Sequence, residues 1–252
     1  MKILILCIFD ETERNKKLFA IHNAHMIPHE HIDYFFIKFD ETIEENYKQM
    51  GNVLLIKGIE SYMNILSKTI KSMHYFMNIK QTHYDFIIRT NISSVFNFEA
   101  LYRYLSIIPP TNLYMGSVFI RLNRIDIKFG INPTTIHRYN LKNLGFFQGT
   151  CIILSNDVAT YLLSHAHELK HDIIDDVAIG LFIRNSLPAA YLTFNKMPIC
   201  TIINQKNKQY RPNSVMYRHK TFNDEEDIYW VTTTFGGLAP PKSPPPPQGR
   251  NE

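Results

Sequence analysis

The sequence predicts an α/β fold: a mostly parallel central sheet with helices on both faces. Two observations carry this. Short apolar runs alternate with amphipathic stretches through the first 106 residues, the pattern of consecutive strand–helix units. The runs are also apolar nearly without interruption, as strands covered on both faces require.

Residues 2–9 read as a buried strand, 12–26 as a helix and 33–39 as a second strand. A short third strand, 53–56, closes at Gly58. In residues 60–77, Tyr62, Ile65, Leu66, Ile70, Met73 and Met77 follow a 3.6-residue spacing and predict a long amphipathic helix. Residues 84–88 form the fourth strand, and 96–106 a helix stopped by Pro109-Pro110. The second half is less regular. Residues 113–120, 151–154 and 199–203 read as strands, and 157–170 and 175–184 as helices. Between them, 121–140 is basic and turn-rich, a loop suited to cover a site. Residues 1–235 read as one domain. The tail, 236–252, carries Pro240, Pro241 and Pro244 to Pro247 and is expected to be extended and disordered.

Bulk properties exclude several classes. A net charge of +4 spread along the chain gives no basic block for nucleic acid. Cys7, Cys151 and Cys200 are odd in number and lie in apolar runs, so they read as reduced core thiols rather than a disulfide framework. The apolar N-terminal run precedes Asp10, Glu11 and Glu13 where a signal peptide would need small residues. No run reaches the roughly eighteen apolar residues of a membrane span. Without signal or anchor, a cytoplasmic protein is expected, as in a bacterium or a large virus.

Four segments carry candidate chemistry. The fourth strand empties into Arg89-Thr90-Asn91-Ile92-Ser93-Ser94, and open α/β sheets bind ligands at the carboxyl ends of their strands. Asn91 and Ser93, two apart, can aim their oxygens the same way, and Arg89 can pair with a phosphate. Ser93 or Ser94 also suits the N-cap of the next helix, a compatible role because helix N-termini bind anions. Asp175 and Asp176 open the helix at 175–184. One can act as a general base, and both also suit a helix first turn. Residues 145–157 place Gly149 and Gln148 beside aromatics ahead of a strand, as in a sugar-binding wall. Finally, His167-Glu168-Leu169-Lys170-His171 matches the zinc-hydrolase pattern H-E-x-x-H, though without a downstream third ligand. The cluster His22, His25, His29 and His31 has no metal spacing and reads as surface.

The order of these segments resembles the β1,3-galactosyltransferase/Fringe-like glycosyltransferases. The resemblance rests on Glu60-Ser61-Tyr62 with Asn64 and Lys68-Thr69, Tyr84 to Thr90, Phe147-Gln148-Gly149-Thr150, and Asp175-Asp176-Val177 with Gly180, and spans roughly residues 52–190. It implies a GT-A fold and an inverting transfer of a hexose or N-acetylhexosamine. The donor would be a nucleotide sugar, expected to be UDP-linked, and the acceptor a hydroxyl of a glycan or glycoconjugate. Carried over by position, Asp176 is the base with Asp175 beside it. Lys68, Arg89, Thr90, Asn91, Ser93, Gln148 and Gly149 fall to the donor. The family binds a Mn2+-diphosphate through three acids in the turn, with a late histidine for which His219 is the candidate. Here Asn91-Ile92-Ser93 stand in place of those acids. The resemblance therefore leaves Asn91, Ser93 and His219 as weak metal ligands, with cations such as Arg89 as the alternative partner of the diphosphate. Two other readings remain open: a non-catalytic sugar- or nucleotide-binding relative, and a zinc hydrolase built on His167 and His171.

Overall fold

β1 (Ile3–Ile8) is buried at every residue, because it lies mid-sheet with a core on each face. Alternation along the strand sends Leu4, Leu6 and Ile8 into one core and Ile3, Ile5 and Cys7 into the other. The computed structural model describes residues 1–192, 195–196, 200–204, 211 and 214–235; the tail expected to be disordered lies outside them. The chain continues through α1 (Glu13–His25), β2 (Ile32–Asp40), β3 (Tyr47–Met50), β4 (Val53–Lys57), α2 (Ile65–His74) and β5 (Phe86–Asn91). Then come β6 (Ser94–Phe96), α3 (Phe98–Ser106), β7 (Tyr114–Gly116), β8 (Phe119–Arg121), α4 (Pro133–Arg138), β9 (Gly145–Phe147) and β10 (Cys151–Ser155). The last elements are α5 (Asn156–Ser164), α6 (Asp175–Ser186), α7 (Pro188–Leu192), β11 (Asn195–Lys196), β12 (Cys200–Asn204), β13 (Met216–Lys220) and α8 (Asp224–Phe235).

The main sheet has eight strands in the order β11-β7-β10-β5-β1-β2-β4-β3. β5, β1, β2 and β4 run parallel, whereas β10 and the edge strand β3 run against them. The expected sheet is thus present. α2, α5 and α6 contribute Leu66, Val158 and Val177 to one core, and α1, α3 and α8 contribute Leu18, Leu101 and Val231 to the other, so helices cover both faces. Ile8 lies opposite Asn91 in the β1–β5 register, which brings the carboxyl ends of both strands level. A second sheet, β12-β13-β6, stands beside that edge. Among the described residues, no helix is long and apolar enough to cross a membrane.

Several boundaries differ from expectation, each for a local reason. The helix expected from residue 60 begins at Ile65. Before it, the Ser61 hydroxyl accepts from the Asn64 amide at 3.2 Å and the Asn64 side chain donates to the Ile59 carbonyl at 2.9 Å, bonds that hold a turn against the helix. The α2 helix then widens into one π turn over Tyr75–Ile79. The run 113–120 divides between two sheets as β7 and β8. Asn97, not Ser93 or Ser94, caps α3, accepting from the Ala100 amide at 3.0 Å. α5 stops at Ser164, because the Ser164 hydroxyl and the His165 ring both bond the Tyr161 carbonyl. His22, expected at the surface, is buried on α1, with its Nε2 2.9 Å from the Ile92 carbonyl oxygen. Burial pushes its pKa down to about 4.

Candidate active site

A cleft of about 660 Å³ opens where β1 and β5 end, a volume suited to a small-molecule ligand. Phe9 and Asp10 follow β1 into it, and Arg89, Asn91, Ile92 and Ser93 line it from β5 and its turn. The segment 120–131 forms one wall, as expected of the basic loop, and includes a short 3-10 turn over Ile127–Phe129. Residues 60–68, the start of α6 and the β13 residues Arg218 and Lys220 complete it.

The floor is a buried ionic cluster built from β5, the turn before β10 and the start of α6. Arg89 Nη2 lies 2.7 Å from Asp175 Oδ2, both side chains being buried. Arg89 Nη1 also donates to the Gly149 carbonyl oxygen. Only glycine permits this approach: a Cβ at 149 would stand 2.5 Å from Nη1 and 2.9 Å from Cζ. The Gly149 N–H in turn donates to Asp176 Oδ2 at 3.0 Å, and the Val177 N–H donates to Oδ1 at 2.8 Å. Burial, and then the charge of Asp175, push the Asp176 carboxyl up to about 7, against the pull of the Gly149 amide and Arg89. Such a group, facing a cleft, can accept a proton near neutrality.

Above this floor, the turn after β5 gathers polar side chains on one atom. Asn91 Oδ1 accepts from Ser93 Oγ at 3.0 Å, from Ser94 Oγ at 3.3 Å, and from Arg218 Nη1. The Asn91 amide nitrogen donates to the Gly149 carbonyl at 3.4 Å. On the side wall, Lys68 is buried, its Nζ 2.5 Å from Glu60 Oε1 and 3.0 Å from the Phe9 carbonyl. Near the mouth, Lys128 lies over the Tyr62 ring at 5.3 Å.

The structure therefore brings Arg89, Asn91, Ser93, Gln148, Gly149, Asp175, Asp176 and Lys68 to one cleft. Thr90 is fully buried instead, donating to the Thr150 carbonyl at 2.7 Å, where it ties β5 to β10. His219 also points elsewhere. Its strand neighbours Arg218 and Lys220 face the cleft, and its own Nε2 meets Thr234 Oγ1 on α8 at 2.9 Å. Burial and Arg218 push its pKa down to about 3. The H-E-x-x-H segment forms no helix face: Ala166–Glu168 is a 3-10 turn, His167 is exposed, and the chain is extended at Leu169. Among the described residues, no group of three or more His, Cys, Asp or Glu is placed to hold a metal.

Sequence reasoning missed Arg218, Lys220, Arg14 and Asp10 as cleft residues. The alternation of β13 was the available signal, since Arg218 and Lys220, two apart, must share a face. The α8 helix also had a signal in Asp224 to Asp227, a run of acids fit for a first turn.

Residues 13–187 match the model of the galactosyltransferase family. A comparison with curated proteins finds no match. Among solved structures, the galactosyltransferase LgtC in complex with donor and acceptor sugar analogues is 10% identical over 96% of this chain and 98% of that one, at a TM-score of 0.43. Mouse xyloside xylosyltransferase 1 in its apo form is 10% identical over 86% of this chain and 96% of its own, at a TM-score of 0.40.

Proposed function

Because the chain belongs to the galactosyltransferase family, we propose that its cleft transfers a hexose or N-acetylhexosamine, with inversion, from a nucleotide sugar, UDP-linked, to a hydroxyl of a glycan or glycoconjugate. The observation that carries this reading is Asp176, a carboxylate in the cleft that two backbone amides orient and that burial holds near neutral pKa.

The division of labour between the two acids supports it. Asp175 is committed to Arg89, so its charge holds the floor together. Asp176 has amides and no cation as hydrogen-bond partners, which leaves its ionised form basic enough to take a proton. In the proposed step, Asp176 removes the proton of the acceptor hydroxyl. The hydroxyl oxygen attacks the anomeric carbon from the face opposite the leaving group. The bond from that carbon to the diphosphate oxygen breaks, its electron pair leaves with the nucleoside diphosphate, and the configuration inverts. The positive charge about the cleft favours a departing anion. The GT-A architecture expected of such an enzyme agrees with a parallel sheet whose strand ends form the site.

The test is release of the leaving nucleotide (UDP, GDP or CMP) by the purified protein from a panel of UDP-, GDP- and CMP-linked sugars, each with and without a glycan acceptor. Acceptor-dependent release from a UDP-sugar, with inversion seen in the product by NMR, is expected. Retention in the product would remove the direct displacement. Binding of UDP without turnover of any donor would leave a nucleotide-binding protein rather than an enzyme.

A further inference from the structure

We propose that the Arg218 guanidinium, rather than a divalent cation, neutralises the donor's diphosphate, and that Asn91 holds that guanidinium without discharging it. The proposal rests on the reading of the cleft as a nucleotide-sugar site.

The first argument is an imbalance of charge. Arg218 is 8% exposed, lines the cleft and bonds the neutral oxygen of Asn91. Among the described residues no carboxylate lies within ion-pair distance of it, and Asp227, an acid whose charge it feels, is itself paired with Arg14. A buried charge without a counter-charge is unstable, and an anion in the cleft would supply one. Burial, with Arg89 and Arg14 nearby, lowers its pKa only to about 10, so it keeps its charge at neutral pH.

The other buried cations, Arg89 and Lys68, and the half-buried Arg14 are already engaged. Arg89, the cation expected from sequence to meet the diphosphate, is paired with Asp175 and bonded to the Gly149 carbonyl. Lys68 is paired with Glu60, and Arg14 with Asp227 at 2.7 Å. Lys220, two residues along the same face of β13, adds a second cation at the cleft that suits the second phosphate.

The residues present do not fit the Mn2+ ion that the family implies. Hard divalent cations favour anionic oxygens, and the turn offers an amide and two hydroxyls. The Asn91 oxygen already accepts from Arg218, Ser93 and Ser94, which leaves it no lone pair for a metal. An ion there would also sit beside a guanidinium and repel it. The choice of Asn over Asp at 91 then follows. An aspartate would form a buried ion pair with Arg218 and cancel the charge that the diphosphate needs.

Isothermal titration of the full chain with inorganic pyrophosphate and with UDP, each in EDTA and in Mn2+, tests this. Equal affinity in both media is expected. Arg218→Gln should weaken both ligands by about 10- to 100-fold, the worth of a charge-assisted contact. Arg218→Lys should restore part of the loss. Asn91→Asp, which adds no bulk and so keeps the test open should Arg218→Gln unfold, should weaken both ligands with no rescue by Mn2+. UDP binding that needs Mn2+ would overturn the Arg218 proposal and leave the nucleotide-sugar reading intact. Metal-free pyrophosphate binding that Arg218→Gln abolishes, with no UDP binding, would keep the anion site and remove the nucleotide reading. Wild-type affinity in Arg218→Gln, or Mn2+-dependent tightening in Asn91→Asp, would also overturn the proposal, and no binding of either ligand in any medium would sink both.

Discussion

Replacing Asp176 by asparagine is expected to move activity and stability in opposite directions. The base is lost, so transfer should fall by about 10²- to 10⁴-fold, the usual worth of a positioned proton acceptor. Stability depends on pH. The Asp176 pKa rises from 3.8 to about 7 on folding, so the folded state favours the protonated carboxyl. That contribution is fully present below about pH 4 and disappears as pH rises to about 7. At about 1.36 kcal/mol per pKa unit, ionising Asp176 destabilises the fold by at most about 4 kcal/mol at pH 8. Asparagine never ionises, and its amide oxygen still accepts from a backbone amide. Relative to wild type, the variant should therefore gain stability between pH 5 and pH 8, by up to roughly 10 °C in Tm at 2–4 °C per kcal/mol. Thermal melts at both pH values, beside assays of diphosphate release, measure both effects. Wild-type and variant stability curves that run parallel across this range would refute the raised carboxyl. Transfer within about threefold of wild type would refute the base, since it falls short of the smallest effect expected of one.

Two further substitutions probe the floor and the histidine motif. Gly149→Ala puts a methyl group 2.5 Å from Arg89 Nη1, and should cost about 1.5–3 kcal/mol as Arg89 leaves the Gly149 carbonyl, visible in a urea melt and as lost transfer. His167→Ala alters an exposed side chain, and should change stability by less than about 0.5 kcal/mol with no metal lost by elemental analysis. Zinc released by His167→Ala would instead restore the hydrolase reading.

The parts of the fold legible in the sequence are those set by neighbours in the chain. The apolar runs of β1, β2, β4 and β5 announce a sheet covered on both faces, and the structure has one. The expected helix over 157–170 forms only as far as Ser164 for a reason equally local, since Ser164 and His165 take the Tyr161 carbonyl and end α5. That break also removes the one-faced display on which the H-E-x-x-H pattern depends. The acids at 175 and 176 were legible as a pair, but not their different fates. Arg89 reaches Asp175 from the middle of the sheet, and one of the two amides that orient Asp176 comes from a turn 27 residues earlier. No spacing rule along the chain encodes either contact.

The turn at 91–93 shows how far such a contact can change the chemistry. Read locally, Asn91-Ile92-Ser93 is a metal motif without its acids, which implies a weakened site. In the fold, a strand 127 positions further along the chain brings the Arg218 guanidinium to Asn91. The second sheet makes this possible: β6 begins at Ser94 and pairs with β13, opposing Ser94 to Arg218. The backbone that carries the turn out of the main sheet therefore also delivers a cation to it. An acid at 91 and a free arginine at 218 exclude one another, because the pair would neutralise itself. On the reading proposed for Arg218, the cleft carries its positive charge on a guanidinium held at Asn91 rather than on a metal ion held by acids in the turn.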